Sequence, residues 1–330
     1  FRLLVGGSRV ALPRQQTLRA MIDWSFDLLS ASDKRVLCRL AVLAGPLPLA
    51  GALAVAAEGM DDGEASAVAA EDGGADGLVD GMAAMEALDS LVEKSLVVVQ
   101  PREDGTWFRL LDTIRLYAGE RLDAADGDRA RGRLLNWLLE ISRDTTGMLA
   151  GADMAKWLSK VESLVPNIRE LVIWSAASKG RRAAGALLAG RFEKAWYTYG
   201  RQAESRRILS LLRDQGESEI PDDSMARLLF FDGLLVWGHH PEEAVASFQR
   251  AGRAFAAIDA QALRADALGN EGSNHIFLQD LERAEACFRD ALALQRQAGL
   301  TAAAAGTLAS LGEIYRLRGH WDEAARLNAE

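Results

Sequence analysis

The sequence is poor in the residues that most often carry chemistry. Its 330 residues include only two cysteines and four histidines. The loop motif Gly-x-x-x-x-Gly-Lys-Ser/Thr, which cradles nucleotide phosphates, occurs nowhere in it. His239 and His240 are adjacent, so they cannot converge on a metal ion from one helical face, and no cysteine lies near them. We therefore expect no enzyme, no cofactor and no metal site in this chain.

Long uninterrupted apolar runs are also missing. Residues 36–57 are mostly apolar, but an arginine, two glycines and two prolines interrupt them. No stretch offers the roughly 20 apolar residues that span a bilayer, and no signal peptide opens the chain. Cys38 and Cys287 occupy apolar helical positions, which predicts buried free thiols and fits a reducing compartment. We expect a cytoplasmic protein without membrane contact.

Size and charge favour a folded, acidic protein. Hydrophobic residues make up 49% of the chain, enough for a core, and the length favours two domains. The formal net charge is −9. The chain begins at Phe1 without a methionine and stops at Glu330 inside a helical pattern. This indicates a piece of a longer protein.

The first third has helical periodicity and then two short strand patterns. The predicted helices cover 17–29, the region after a cap at Ser30 or Ser32, 48–57 and 82–93, and the predicted strands cover 96–100 and 106–110. Between the third and fourth helices, residues 59–81 are rich in Asp, Glu and Gly and contain no basic residue, which predicts a flexible insertion. Helices closed by a β-hairpin indicate a winged helix over 17–122.

The last two thirds, 123–330, are predicted to be wholly helical and repetitive. Ala244, Ala284 and Ala324 recur at a constant spacing of 40 positions, and Phe248 and Phe288 keep the same register. Such a period indicates stacked helical hairpins. A plain helical bundle is the alternative.

Three segments carry a resemblance to a known family. They are RQQTLRAMIDWSFDLLSASDKRVLCRLAVLAG, ALDSLVEKSLVVV and FRLLDTIRLYAGERL, followed by the helical repeats. Together they resemble the region behind the ATPase module of bacterial STAND-type regulators, which are NB-ARC-like signal-transduction ATPases. The resemblance implies a mainly α fold: a winged-helix domain with a small β-hairpin, then an α-α superhelix of tetratricopeptide-like repeats. It also implies that residues 1–16 are a linker from an ATPase module missing here.

The function implied is that of a regulatory sensor segment, typical of a transcriptional regulator. The repeat array would bind a protein, peptide or small inducer, and the winged helix would couple it to the upstream ATPase. Asp112 and Arg115, on the helix after the hairpin, are the expected coupling residues. Related eukaryotic winged helices carry Met-His-Asp at the junction between the last strand and the next helix, and that histidine contacts the bound nucleotide. This chain has Leu110-Leu111-Asp112 there, so the histidine is replaced by a leucine. A non-enzymatic scaffold or adaptor is the alternative function.

Polar residues on the first helix of each repeat are the candidate partner-binding residues, because those helices form the concave face. They are Asn270, Asn274, His275, Glu313 and Arg316. A solvated surface position is the alternative for each.

Two further segments allow two interpretations each. The aromatic residues of AWYTYGRQ are either a recognition patch or core between repeats. The helix over 82–93 would be the DNA-reading helix of a winged helix, but it carries three acidic residues against the single Lys94 that follows it. DNA binding needs cations against phosphate, so we expect no direct DNA contact.

Overall fold

The computed structural model describes residues 13–57, 75–102, 104–143, 152–199, 202–214 and 220–329. These residues are mostly helical, with one small three-stranded sheet. The chain divides into two compact units, Phe1–Glu140 and Ile141–Glu330. Among the described helices, none is both long enough and apolar enough to cross a bilayer.

The first unit contains six helices and three strands among its described residues. They are α1 (Pro13–Asp27), α2 (Ala31–Leu40), β1 (Leu47–Pro48), α3 (Leu49–Ala56), α4 (Ala75–Glu93), β2 (Val97–Arg102), β3 (Gly105–Leu110), α5 (Asp112–Gly119) and α6 (Ala124–Ile141). The predicted helices and both predicted strands are present, with shifted ends. Most of the predicted flexible insertion lies outside the described residues, but its last part, 75–81, is the start of α4.

The sheet has the order β1-β3-β2, and both pairs are antiparallel. The hairpin of β2 and β3 is the one that the sequence predicts, with Val99 opposite Phe108. The third strand, β1, pairs Leu47 with Phe108 on the other side. It was not predicted, because a two-residue strand that follows one proline and ends on another has no pattern of its own.

Polar contacts fix α2 within the first unit. Ser30 caps the helix, since its Oγ accepts a hydrogen bond from the Asp33 backbone N–H at 3.0 Å. The buried Asp33 carboxylate accepts hydrogen bonds from Ser90 at 2.9 Å and Lys94 at 3.1 Å, which ties α2 to α4. Burial would raise the pKa of Asp33, but these hydrogen bonds outweigh it and lower the pKa below its usual value.

Helix α6 also packs on the first unit. The Asp126 carboxylate pairs with Arg39 of α2 at 3.0 Å, and Arg133 donates a hydrogen bond to the Val55 carbonyl at 3.1 Å. A Cβ placed on Gly51 would lie 3.0 Å from the Trp137 ring, so a larger residue in α3 would push α6 away. The compact unit therefore continues to Glu140, beyond the domain end that the sequence predicts at residue 122.

The described part of the second unit is helical throughout. Its α-helices are α7 (Ala152–Val161), α8 (Val165–Ala176), α9 (Arg182–Arg191), α10 (Glu193–Tyr199), α11 (Gln202–Asp214), α12 (Asp222–Val236), α13 (Pro241–Ala257), α14 (Gln261–Phe277), α15 (Leu281–Gln297), α16 (Thr301–Leu317) and α17 (Trp321–Ala329). Short 3₁₀ turns, Glu162–Leu164 and Lys179–Arg181, precede α8 and α9. From α12 onward, each helix packs against the next.

The last six helices form three hairpins with one internal register. Ala244, Ala284 and Ala324 are each the fourth residue of a second helix, and all three are buried. Phe248 and Phe288 follow one turn later and fill the hairpin cores. The repeat inferred from the sequence is therefore a structural repeat of helical pairs.

The turns between these helices share one backbone feature. Each has a residue with positive φ, in the left-handed region that reverses the chain after a helix. These residues are Gly238, Asp259, Gln279, Gly299 and Gly319. The shared turn geometry lets successive helices run back and forth with connections of only a few residues.

Candidate functional site

A cavity of about 290 Å³ lies within the second unit, where four helices approach one another. Its apolar lining is supplied by α7, α10 and α12, and its polar lining by α10 and α14. The lining residues are Leu158, Lys194, Tyr197, Thr198, Phe230, Leu234, Asp266 and Asn270. An apolar wall with a few polar groups is the usual composition of a small-ligand site.

Rigid packing holds the apolar wall in place. Phe230 is 5% exposed, and its ring meets the rings of Phe248 and Phe255 edge-on at centroid distances of 5.5 and 6.2 Å. On α10, the Trp196 ring packs 5.5 Å from Phe231, which fixes the helix that carries Lys194 and Tyr197. The wall is therefore part of the hydrophobic core and is formed before any ligand arrives.

Opposite charges face the cavity. Burial raises the pKa of Asp266, and the positive charge of Lys194 lowers it only in part. Asn270 donates a hydrogen bond to the Asp266 backbone carbonyl at 2.8 Å, which orients its amide along α14. A ligand in this cavity would meet one cationic and one acidic group beside an apolar surface.

Glu193, beside Lys194 at the start of α10, is a buried acid next to the cavity. It is 6% exposed, and its Oε2 has no hydrogen-bond partner among the described residues. Burial raises its pKa to about 7, although the charges of Arg227 and Lys194 oppose this shift. The charge of Glu193 therefore changes near neutral pH.

The structure separates the predicted partner-binding residues of α14. Asn270 lines the cavity, whereas Asn274 and His275 are buried, with 0% and 2% exposure. Asn274 donates to the Asn270 carbonyl at 2.8 Å and accepts from the Gly238 backbone N–H at 3.3 Å. Neither residue is a solvated surface position, and a partner could reach neither without displacing helices.

The remaining predicted residues form surface ion pairs. Arg316 donates to Glu313 at 2.6 Å on α16, and both side chains are close to half exposed. Asp112 and Arg115 are 3.8 Å apart at the start of α5. The structure does not bring these pairs to the cavity, and partner binding and interdomain coupling at them stay predictions.

The aromatic residues of the segment AWYTYGRQ fit neither the recognition patch nor the core interpretation as a group. Trp196 is core at 2% exposure, Tyr197 lines the cavity and Tyr199 is 39% exposed. Sequence reasoning did not single out Lys194 or Asp266. Asp266 could have been found, because it lies one helical turn before Asn270 on the same face of α14.

Comparison with known proteins gives partial matches. No family model matches the chain. A Mycobacterium tuberculosis protein provisionally named an HTH-type transcriptional regulator is 36% identical over 199 residues, which is 60% of this chain and 20% of that protein. An uncharacterized protein of the same organism is 34% identical over 134 residues, which is 40% of this chain and 30% of that protein. The chain thus spans about a fifth of the length of the regulator.

Solved structures also align with the chain. One of them is the crystal structure of a STAND (signal transduction ATPase with numerous domains) protein with a tetratricopeptide repeat sensor from Pyrococcus horikoshii. The alignment has 12% identity and a TM-score of 0.41, and it covers 99% of this chain and 53% of that one.

Proposed function

We propose that this chain is a regulatory segment of a STAND-type transcriptional regulator and that its helical array binds a ligand in the α7–α10–α12–α14 cavity. The observation that carries the proposal is this cavity, which has an apolar wall, one cation and one acid within the helical second unit. The partial match to a protein named as a transcriptional regulator supports the regulatory assignment. The paired helices of the array are consistent with tetratricopeptide-like repeats. We propose further that the first unit is a winged helix.

The size of the cavity restricts the ligand. The volume of about 290 Å³ lies just below the usual range for small-molecule sites, roughly 300–1,000 Å³. A small inducer with an apolar body and charged ends would fit, as would one or two side chains of a bound peptide. Lys194 would pair with an anionic end, and Asp266 or Asn270 would accept a hydrogen bond from a cationic end.

Free amino acids and dipeptides are the probes for this site, because they combine apolar side chains with both charges. A thermal-shift screen should find members that stabilise the chain, since a ligand that binds only the folded state raises its stability. Leu234→Trp fills the cavity and should abolish those shifts. Leu317→Trp places the same group on an exposed position of α16 and should retain them. A hit that survives Leu234→Trp would place the ligand elsewhere.

The first unit would transmit the signal to the ATPase module. We propose no catalysis and no DNA contact by this segment itself, and the output would belong to other parts of the parent protein. Coupling through Asp112 and Arg115 can be tested cleanly, because an exposed pair of this kind contributes at most about 1 kcal/mol to stability. Replacing both by alanine should leave the first unit folded and change the ATPase rate of the full-length parent.

The matched control for coupling is the Asp128–Arg131 pair on α6, which has a similar separation of 3.7 Å and a similar arginine exposure. Its double alanine variant should have the parental ATPase rate. Equal rates for the two double variants would mean that α5 does not transmit the signal.

The scaffold or adaptor alternative has one observation in its favour: aromatic and aliphatic side chains stand exposed on the array. Phe277, Leu317 and Trp321 are 53%, 47% and 63% exposed. A protein partner on these residues would make the cavity incidental, and alanine variants at all three positions would then abolish partner capture while leaving the probe shifts unchanged.

A further inference from the structure

Three side chains with metal-ligating atoms meet between α14 and α15. Glu271 and His275 lie one turn apart on α14, and Cys287 projects from α15 towards them. One ligand atom from each lies within 4.8 Å of the others. All three are buried, with exposures of 8%, 2% and 9%. This set is separate from the cavity described above, which none of the three residues lines.

The histidine is not satisfied by its protein neighbours. His275 Nδ1 is buried and has no hydrogen-bond partner among the described residues. Its Nε2 lies 3.6 Å from Glu271 Oε1, which is longer than a hydrogen bond. Neither ring nitrogen is therefore held by a hydrogen bond to the described residues, and Nε2, the nitrogen that faces Glu271, is the one placed to bind a metal ion.

Neighbouring groups hold the other two ligands in place. Gln249 of α13 donates a hydrogen bond to Glu271 Oε1 at 2.8 Å, which fixes the position of this carboxylate oxygen. Gly272 allows the close approach of the helices, because a Cβ there would lie 3.2 Å from the Cys287 Cβ. Burial, together with the Glu271 carboxylate, raises the pKa of the Cys287 thiol to about 12. Without a metal ion, the thiol stays protonated.

We propose that Glu271, His275 and Cys287 form a binding site for one divalent metal ion of borderline softness, with Zn²⁺ as the physiological choice. Imidazole and thiolate ligands favour zinc, whereas magnesium and calcium prefer oxygen ligands. Ligand bonds of about 2.0–2.3 Å in a tetrahedral site place ligand atoms roughly 3.3–3.8 Å apart. The 3.6 Å pair already has this separation, and modest side-chain movement brings in the sulfur.

The charges balance when the ion binds. The carboxylate and the thiolate supply two negative charges against the two positive charges of the metal, and imidazole stays neutral. The proton of the Cys287 thiol leaves to solvent as the sulfur–metal bond forms. A water molecule would take the fourth position. The bound ion would then hold α14 to α15, and it would restrain the helix that carries Asn270 in the cavity.

Cobalt(II) is the probe, because its spectrum reports both the geometry and the presence of a thiolate ligand. Titrated into the 330-residue chain freed of metal, it should bind one equivalent and give a thiolate-to-cobalt charge-transfer band and the intense visible bands of a four-coordinate ion. One equivalent of Zn²⁺ should remove both. Excess Mg²⁺ should not.

Single variants assign the ligands. Cys287→Ser should abolish the charge-transfer band, and His275→Gln and Glu271→Gln should each weaken cobalt binding by at least about tenfold. Cys38→Ser is the matched control, since Cys38 is also a buried free thiol but lies in the first unit. It should bind cobalt like the parent chain. A charge-transfer band that survives Cys287→Ser, or no band in the parent chain, would overturn the proposal.

A second measurement covers a ligand variant that fails to fold. In the Cys38→Ser chain, Cys287 is the only thiol, and its alkylation can be followed by mass spectrometry. Zn²⁺ should slow this alkylation by at least about tenfold relative to the same chain in chelator or Mg²⁺, because a metal-bound sulfur is unavailable to the reagent. An alkylation rate that Zn²⁺ does not change would refute the site.

Discussion

The ion pair between Arg39 and Asp126 offers the sharpest test of how the first unit is held together. The two side chains are 8% and 17% exposed, and Arg39 Nε donates to both carboxylate oxygens at 3.0 and 3.1 Å. Arg39 also donates to the Ala56 and Ala57 carbonyls at 2.9 and 3.2 Å. These bonds fix the guanidinium, so it cannot turn out to water when its partner is lost.

The substitution Asp126→Asn therefore removes the carboxylate charge that faces this buried cation. Breaking a buried pair costs about 3–5 kcal/mol, and the partial exposure of Asp126 favours the lower end, about 3 kcal/mol. For a unit of this size we expect a drop in melting temperature of roughly 10 °C. Scanning calorimetry should show it in the transition of the first unit, with the transition of the second unit unchanged.

The control is Asp128→Asn, which removes the same charge from the same helix at an exposed position. It should cost at most about 1 kcal/mol. The effect of pH gives a second check. Burial would raise the pKa of Asp126, but Arg39 outweighs it and lowers the pKa below its usual value of 3.8. The stability difference between parent and Asp126→Asn should be full above pH 3.8 and shrink as the pH falls further. Equal effects of the two substitutions would refute the reasoning.

Four other outcomes are expected. Gly233→Ala should destabilise the array by about 1–3 kcal/mol in urea unfolding, because its Cβ would lie 2.8 Å from the Phe248 ring. Gly306→Ala, in open space on α16, should be neutral or stabilising. Burial raises the pKa of Glu193 from 4.5 to about 7. Its contribution to the free energy of unfolding therefore favours the folded state below pH 4.5 and is lost as the pH rises towards 7. Glu193→Gln should flatten this pH dependence of unfolding. Duplex DNA should keep its electrophoretic mobility with the chain at physiological salt, and a specific shift would restore DNA binding by the first unit.

Periodicity predicted the helices well where each helix has a polar and an apolar face. The second helices of the hairpins show this, since Ala244, Phe248, Ala284 and Phe288 were placed in the core by spacing alone and are buried. Strand β1 could not be predicted, because Leu47 and Pro48 become a strand only by pairing with β3, about 60 residues away in the chain. Helix α6 was assigned to the array because a helical pattern does not say which core it joins.

The candidate site could be predicted only in part, because its geometry depends on helices distant in the chain. Asn270 was identified from its position on a first helix, but the cavity also needs Leu158 and Lys194 from helices outside the three 40-residue repeats. The burial of Asn274 and His275 was not predicted, for a related reason. A polar residue is expected at the surface unless the neighbours that bury it are known.

The Glu271–His275–Cys287 set shows what the repeat itself can reveal. Glu271 and His275 have the four-residue spacing that places two side chains on one helical face. Cys287 lies three residues after Ala284, the position where each second helix meets the first helix of its hairpin. The helical spacing and the repeat register, taken together, place these three residues side by side. A search for adjacent histidines with a nearby cysteine in the sequence misses this set. The reason is that the hairpin brings Cys287 close to His275 and Glu271, which lie 12 and 16 positions before it in the chain. In a repeat protein, the register between the two helices of a unit is therefore as informative about a site as the spacing within one helix.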